Sequence, residues 1–397
     1  MRFTSRLHAQ HLGWSFKKHW QTQGKRIPND TGAASELEKK EILIKNTGDA
    51  TAHDKFKTNI GSLTHHQWHD KFCYIYCKET VLLEGLPQAQ LLTNTVKIKG
   101  LPKSLYELII NLKIPSSVER NAELAVTKSN VYDAEQSSLP RTRNVDRPAY
   151  KYPRVYGASQ LRSNHILINT FLNECEKLAS SEVSGQRRIL DEVDYGVTLP
   201  KNGYRIQMNV VANKIITCCK TIEPLRGNFD AEMPDLYPTK NTISLSKENG
   251  YPSKTKFPIN LGSYSHPHTV ITFFDKKKLR NIHGTNVSKS QFQSRTLLAG
   301  FAVAAARAKQ IYGNTNIETL PKPIVIQSIQ TDGCSFHFGV FQLNTLRFDE
   351  QSKLKNYWFQ EDDMDLYEIC GCVNGQSRLD GYNKNVFRYL AGFYKNL

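Results

Sequence analysis

The residues of this chain best suited to chemistry are its cations. From Lys276 to Ile317 eight of them, Lys276, Lys277, Lys278, Arg280, Lys289, Arg295, Arg307 and Lys309, stand without one acidic residue among them. Phosphates are bound by neutralising their charge and releasing counterions, so an acid-free tract suits a nucleic-acid backbone; a solvated basic helix is the alternative. A second group, Arg141, Arg143, Arg147, Lys151 and Arg154, is interleaved with Tyr150, Tyr152 and Tyr156, with Asp146 its only acid. Tyrosine faces can stack on bases while cations follow the strand, so both groups are candidate RNA contacts.

Other chemistry is weaker. His65, His66, His69, Cys73 and Cys77 are zinc-type ligands, but the two cysteines, four apart in a strand, would stand about 13 Å apart, too far for one tetrahedral ion. The acids at 361–365 lack the spacing of a calcium loop and read as a solvated face. His337, between Phe336 and Phe338, reads as a packed strand histidine. No Walker loop, Gly-x-Gly-x-x-Gly, Gly-x-Ser-x-Gly or His-Glu-x-x-His occurs. The expectation is no catalytic residue, no metal and no cofactor. The rival is an enzyme acting on RNA, with a site around His337, Asp332 and 361–365.

Composition sets the frame. The chain has 397 residues, 53 Lys and Arg against 37 Asp and Glu, and a formal charge of +16. That length allows one large domain or two ordinary ones, and the composition excludes collagen, coiled coil and wholesale disorder. Arg2, Arg6, Lys17, Lys18, Lys25 and Arg26 precede the first acid, Asp30, and Phe3, Leu7, Trp14 and Phe16 supply an apolar face. Residues 1–26 therefore read as a mitochondrial transit peptide, with an RNA-binding tail as the alternative. The most apolar run, Leu297–Ala306, is far short of the roughly 20 residues a membrane span needs. Eight irregularly spaced cysteines read as reduced thiols of a matrix-like compartment.

The elements that must position the cations follow from pattern. Residues 27–64 read as an extension with a short helix around Ser35–Ile44, where Ser35 and Glu38 imitate a capping box. Order begins near Trp68 with a strand at 72–77, and short strands and turns are expected over Leu82–Leu92 and Thr95–Lys99. Residues 116–156 read as an extended arm, because Pro140, Pro148 and Pro153 resist helix and central strand. A helix is expected at Leu161–Leu178, β-runs at Tyr204–Val211 and Lys214–Cys219 that form a hairpin or one long bent strand, loops over 223–265, and a strand at His268–Phe274. Lys289–Tyr312 is the clearest helix, with Ser288 or Ser290 as N-cap and Gly313 beyond its end. Ile324–Gln330 and Ser335–Leu343 flank the turn Thr331-Asp332-Gly333, and a helix over 383–397 closes the core. These elements predict an α/β or α+β domain over 65–397, a mixed sheet with packed helices, in which 65–115 could form a smaller lobe.

Several runs then carry a family likeness. Tyr264-Ser265-His266-Pro267-His268-Thr269, Ala304-Ala305-Ala306-Arg307, Pro323-Ile324-Val325-Ile326-Gln327-Ser328-Ile329, Thr331-Asp332-Gly333 with Phe336-His337-Phe338, and Val340-Phe341-Gln342-Leu343-Asn344-Thr345 resemble the mitochondrial large-subunit ribosomal protein thirty-seven family. Cys73-Tyr74-Ile75, Leu82-Leu83-Glu84-Gly85 and Gly100-Leu101-Pro102 match it in order. The likeness covers roughly 65–397, dense in 264–345 and thin between 103 and 263. It implies a non-catalytic component of the mitochondrial large subunit, in contact with large-subunit rRNA and other mitoribosomal proteins. Among these would be programmed cell death protein nine, which shares the family's ancestry.

Overall fold

The computed structural model describes residues 32–42, 67–131, 146–149 and 159–396, apart from 226, 228, 230–231, 254, 261, 277, 282–283, 314–318, 349–353 and 374–375. The chain divides into two units, 1–62 and 63–397. In the first, helix α1 (Ala33–Lys39) starts at Gly32, with no side-chain cap. Ser35 lies inside the first turn and its hydroxyl donates back to Gly32 O (2.8 Å), so the expected capping box does not form. Residues 1–26, expected to be a transit peptide, lie outside the described residues.

The second unit is a mixed sheet with helices on both faces. In chain order it contains β1 (Trp68–Tyr76), α2 (Leu86–Thr93), β2 (Thr95–Lys99), α3 (Lys103–Asn111), α4 (Ser116–Val131), α5 (Gln160–Leu178), α6 (Ser181–Ser184), β3 (Arg187–Lys201) and β4 (Tyr204–Cys218). Then come β5 (Ser246–Gly250), β6 (Thr255–Lys256), β7 (His266–Phe273), α7 (Lys289–Tyr312), β8 (Ile324–Thr331), β9 (Ser335–Leu343), β10 (Asn356–Gln360), β11 (Met364–Asp365), β12 (Ile369–Val373), β13 (Gln376–Asp380) and α8 (Lys384–Lys395). The main sheet has 11 strands in the order β2-β10-β9-β8-β7-β4-β1-β5, with β3, β6 and β11 attached at its sides. Pairing is parallel at β2/β10, β7/β8 and β1/β4. This is the expected α/β fold.

Strand alternation divides the core into two layers. Ile324 and Ile326 on β8, Phe341 on β9 and Trp358 on β10 pack toward α7 and α2, with Leu298, Phe301 and Ala305 of α7 opposite. Val325, Ile329, Phe336, Phe338 and Phe359 face the other way, onto Phe171 of α5, Ile109 of α3, and Phe387 and Leu390 of α8. Every residue of β8 is buried, as expected of a strand covered on both sides. The small residues of α7 allow close approach: a Cβ on Gly300 would stand 3.0 Å from Phe341 Cβ.

Two expectations are corrected. Leu86–Thr93 is helical because Pro87 sits in the first turn, where its missing N–H costs nothing, and Gly85 takes φ +62 against Ser290. The Ser290 hydroxyl accepts from Leu86 N (2.9 Å), so the first turns of α2 and α7 are joined. Ser116–Val131 is helix α4 and not extended arm. All three prolines behind that expectation lie beyond 131, while Val118, Ala122, Ala125 and Val126 recur at helical spacing and are buried. Of the two arrangements expected for the β-runs at 204–211 and 214–219, the single long strand forms, and its hairpin partner is β3, joined through Asn202-Gly203, both at positive φ. The buried and exposed positions of β3 follow no simple alternation, and Glu192, at φ +51, interrupts the ladder without shifting its register, so no period-2 pattern marks the strand in the sequence.

Candidate nucleic-acid interface

The hairpin β8/β9 and the N-terminus of α7 hold the exposed part of the basic tract. Asp332, in the hairpin turn, is buried, and its Oδ1 accepts from Cys334 N (2.8 Å) and Ser335 N (2.7 Å). Its Oδ2 pairs with Lys276, which follows β7. Burial lowers the Lys276 ammonium, but the bond and charge of Asp332 outweigh it and raise its pKa. A buried carboxylate thus holds an exposed lysine in place.

Helix α7 begins on Ser288, whose hydroxyl accepts from Gln291 N (3.2 Å) while Gln291 Oε1 accepts from Ser288 N (2.9 Å). This is a complete capping box. Lys289 faces Asp363 at 3.8 Å, and Gln293 donates to the same carboxylate (3.0 Å). Burial raises the Asp363 carboxyl, opposed by Gln293 and Lys289. Arg280 donates to Asn286 Oδ1 (2.5 Å) and Lys278 reaches Asp275 at 3.9 Å. A surface cleft of about 550 Å³ runs between these groups, lined by Lys276, Arg280, Lys289, Phe292, Asp332 and Asp363 among others. Lys278 lines the adjoining groove with Phe273 and Arg295.

The tract therefore divides. Lys276, Lys278, Arg280 and Lys289 are exposed and clustered. Arg295 ties α7 to the segment after β1 through Thr80 O and Lys78 O, both at 2.8 Å. Arg307, 2% exposed, donates to Gln310 and to Ser265 Oγ (3.2 Å) and lies over Phe257, so its charge is directed into the protein. Lys309 donates to Thr198 O (2.6 Å) at the far end of α7. Arg147 is exposed, whereas Arg141, Arg143, Lys151, Arg154 and Lys277 lie outside the described residues. The acid-free run of sequence is not acid-free in space, because Asp332 and Asp363 arrive from later elements.

The acidic segment is likewise more than a solvated face. Asp362 is exposed, but Asp363 faces Lys289 and Gln293, and Asp365 accepts from Ser335 Oγ (2.6 Å). His337 does not join Asp332 and Asp363 in the cleft. It is buried under α7 with Nδ1 2.8 Å from Thr296 Oγ1, and burial, then Lys289 and Lys97, lower its pKa to about 3. No group of three or more His, Cys, Asp or Glu side chains arranged for a metal occurs among the described residues, and no described helix is long and apolar enough to cross a membrane.

Large ribosomal subunit protein mL37 of Gallus gallus is 28% identical over 313 residues, spanning 77% of this chain and 67% of its own length. Its namesake in Rattus norvegicus is 27% identical over 308 residues (76% and 67%), and that of Bos taurus 25% over 329 (81% and 72%). The chain is similar to mL37 over about three quarters of its length. A sequence profile of the family described as mitochondrial 28S ribosomal protein S30 (PDCD9) also matches residues 260–397. That stretch holds β7, α7, β8 to β13 and α8, and with them the whole cleft. The mL37 likeness reaches over about twice as much of the chain.

Proposed function

We propose that the chain is a structural, non-catalytic component of the large subunit of the mitochondrial ribosome, working in the matrix in contact with rRNA and neighbouring ribosomal proteins. The observation that carries this reading is the mL37 likeness over about three quarters of the chain. The carboxylates of the cleft support the non-catalytic role. Asp332 and Asp363 each face a lysine, and His337 is walled off beneath α7, so the groups the rival reading required are not assembled. The rRNA contacts fall to the exposed cations Lys276, Lys278, Arg280 and Lys289, with Arg147 and its neighbours Arg141, Arg143, Lys151 and Arg154. Programmed cell death protein nine, from the family whose profile matches 260–397, is the proposed protein neighbour, and residues 1–26 the proposed import signal.

Sedimentation tests this. The tagged full-length chain, followed through gradients of mitochondrial lysate, is expected with the large subunit at low salt and to remain largely there as salt rises. Free migration at both salt concentrations overturns the reading. RNA association that collapses with salt and never tracks the large subunit would make it a free RNA-binding protein instead.

A further inference from the structure

Helix α7 is 24 residues long, so its ends lie about 36 Å apart. At the C-terminal end, far from Lys289, a second cleft of about 520 Å³ opens between the β3/β4 hairpin, the approach to β6 and the last turns of α7. Its lining includes Arg205, Lys309, Thr198, Ser253 and Thr255, and none of the described residues lining it is acidic. This contrasts with the first cleft, where each lysine meets a carboxylate.

Both cations are held in place. Arg205 stands on β4 opposite Pro200, and its guanidinium donates to Tyr251 OH at 3.4 Å. The tyrosine is fully buried, stacks on His69 with ring centroids 4.3 Å apart and donates to Lys71 O (2.9 Å), so it is a fixed support. Lys309 gives one of its three donors to Thr198 O. Burial, and after it the Arg205 guanidinium, lowers the Lys309 pKa. The carboxylate of Asp194, near β6, faces Lys256 at 3.5 Å. Two like charges drawn into one partly desolvated cleft repel, and an anion between them reverses the sign of that interaction. The Ser253 and Thr255 hydroxyls add donors of the kind that bind phosphate oxygens.

We infer that the Arg205–Lys309 cleft is a phosphate-binding site. The phosphate comes either from an RNA backbone, in which case the inference rests on the ribosomal role proposed above, or from a small phosphorylated molecule.

The test uses the purified full-length chain with R205Q, K309Q, their double variant and, as a control for net charge, the double variant Lys97→Gln with Lys99→Gln on β2. One arm measures affinity for a 20-nucleotide single-stranded RNA across a salt series. Loss of two contacts is expected to reduce the slope of log affinity against log salt by about 1.4, at roughly 0.7 per contact, with an affinity loss of about tenfold at low salt. The control should change affinity less. The other arm measures the melting temperature with added inorganic phosphate, which should rise for the wild type and not for the double variant. A change in the RNA slope assigns the site to a backbone phosphate; a change confined to phosphate protection assigns it to a small molecule. Wild-type behaviour of the double variant in both arms overturns the inference. R205Q leaves the Lys309–Thr198 bond intact, so it decides the matter alone if K309Q folds poorly. Because purified chain is used, this outcome is independent of co-sedimentation with the ribosome.

Discussion

His268 and His337 both occupy buried positions where only neutral imidazole fits. His268 places Nε2 2.7 Å from Asn396 O, so that nitrogen carries the proton and Nδ1 accepts, with Thr269 Oγ1 2.8 Å away. Burial, then the Arg187 charge, hold its pKa at about 3, matching His337. An unfolded histidine titrates near 6.5, so between pH 6.5 and 3 the unfolded chain binds protons that the folded one refuses, and stability falls on acidification through that window. The expected loss is about 1.4 kcal/mol per pH unit for each histidine. Urea unfolding at pH 7, 6 and 5 should show a shallower pH dependence for His337→Gln than for the wild type. Equal slopes would mean that His337 is solvated. Asp332 makes a related point. Lys276→Gln would leave a buried carboxylate without its cation and should cost about 1–3 kcal/mol, whereas Lys278→Gln should be nearly neutral, since its ion pair is exposed. Nothing in the run from 276 to 317 announces Asp332 as a partner of Lys276. The pairing exists only because β7 and β8 lie side by side, placing the end of one strand beside the turn after the other.

At the scale of elements, α7 is pinned at its start and packed along its length. Ser288→Ala removes one half of the capping box and is expected to cost about 1 kcal/mol, read as a lower urea midpoint with unchanged slope. Along β9, Gly339 faces the Trp358 indole so closely that an added Cβ would sit 2.2 Å from the ring. Gly339→Ala should therefore destabilise by about 1–3 kcal/mol or more through overpacking, while leaving the Ser288 cap effect additive. The α7 boundaries, its caps and the β8/β9 turn were legible from sequence because each is written locally, in a serine, a glycine or an Asp-Gly pair. Helix α4 was not, since prolines downstream of it coloured the reading of a segment that contains none. The role of His266-Pro267-His268 was also hidden. His268 receives the C-terminal end of α8 together with Gln327, which donates to Phe393 O (2.9 Å), and Arg187, which donates to Tyr394 O (3.2 Å). Three side chains from three strands satisfy the last carbonyls of one helix, a combination that no local spacing encodes.

Across the whole molecule, the charge of +16 is unevenly balanced by acid. At the N-terminal end of α7 the exposed cations are interleaved with Asp275, Asp332, Asp363 and Asp365, and at the other end Arg205 and Lys309 share a cleft with no acidic lining. Carboxylates beside the first group position its lysines and weaken its field, so each of those cations should contribute less to a polyanion contact than Arg205 or Lys309 does. Lys278 and Arg280 are the residues that test the first group cleanly, because neither holds a buried carboxylate. With the two groups at opposite ends of α7, a helix about 36 Å long, their contributions should add. In co-sedimentation with the large subunit, K278Q with R280Q should lower the salt concentration at which the chain is released slightly, and R205Q with K309Q should lower it more. The quadruple variant should show the sum of the two shifts. A quadruple variant no weaker than the stronger pair would mean that only one end of α7 meets RNA and that the other end serves a protein neighbour.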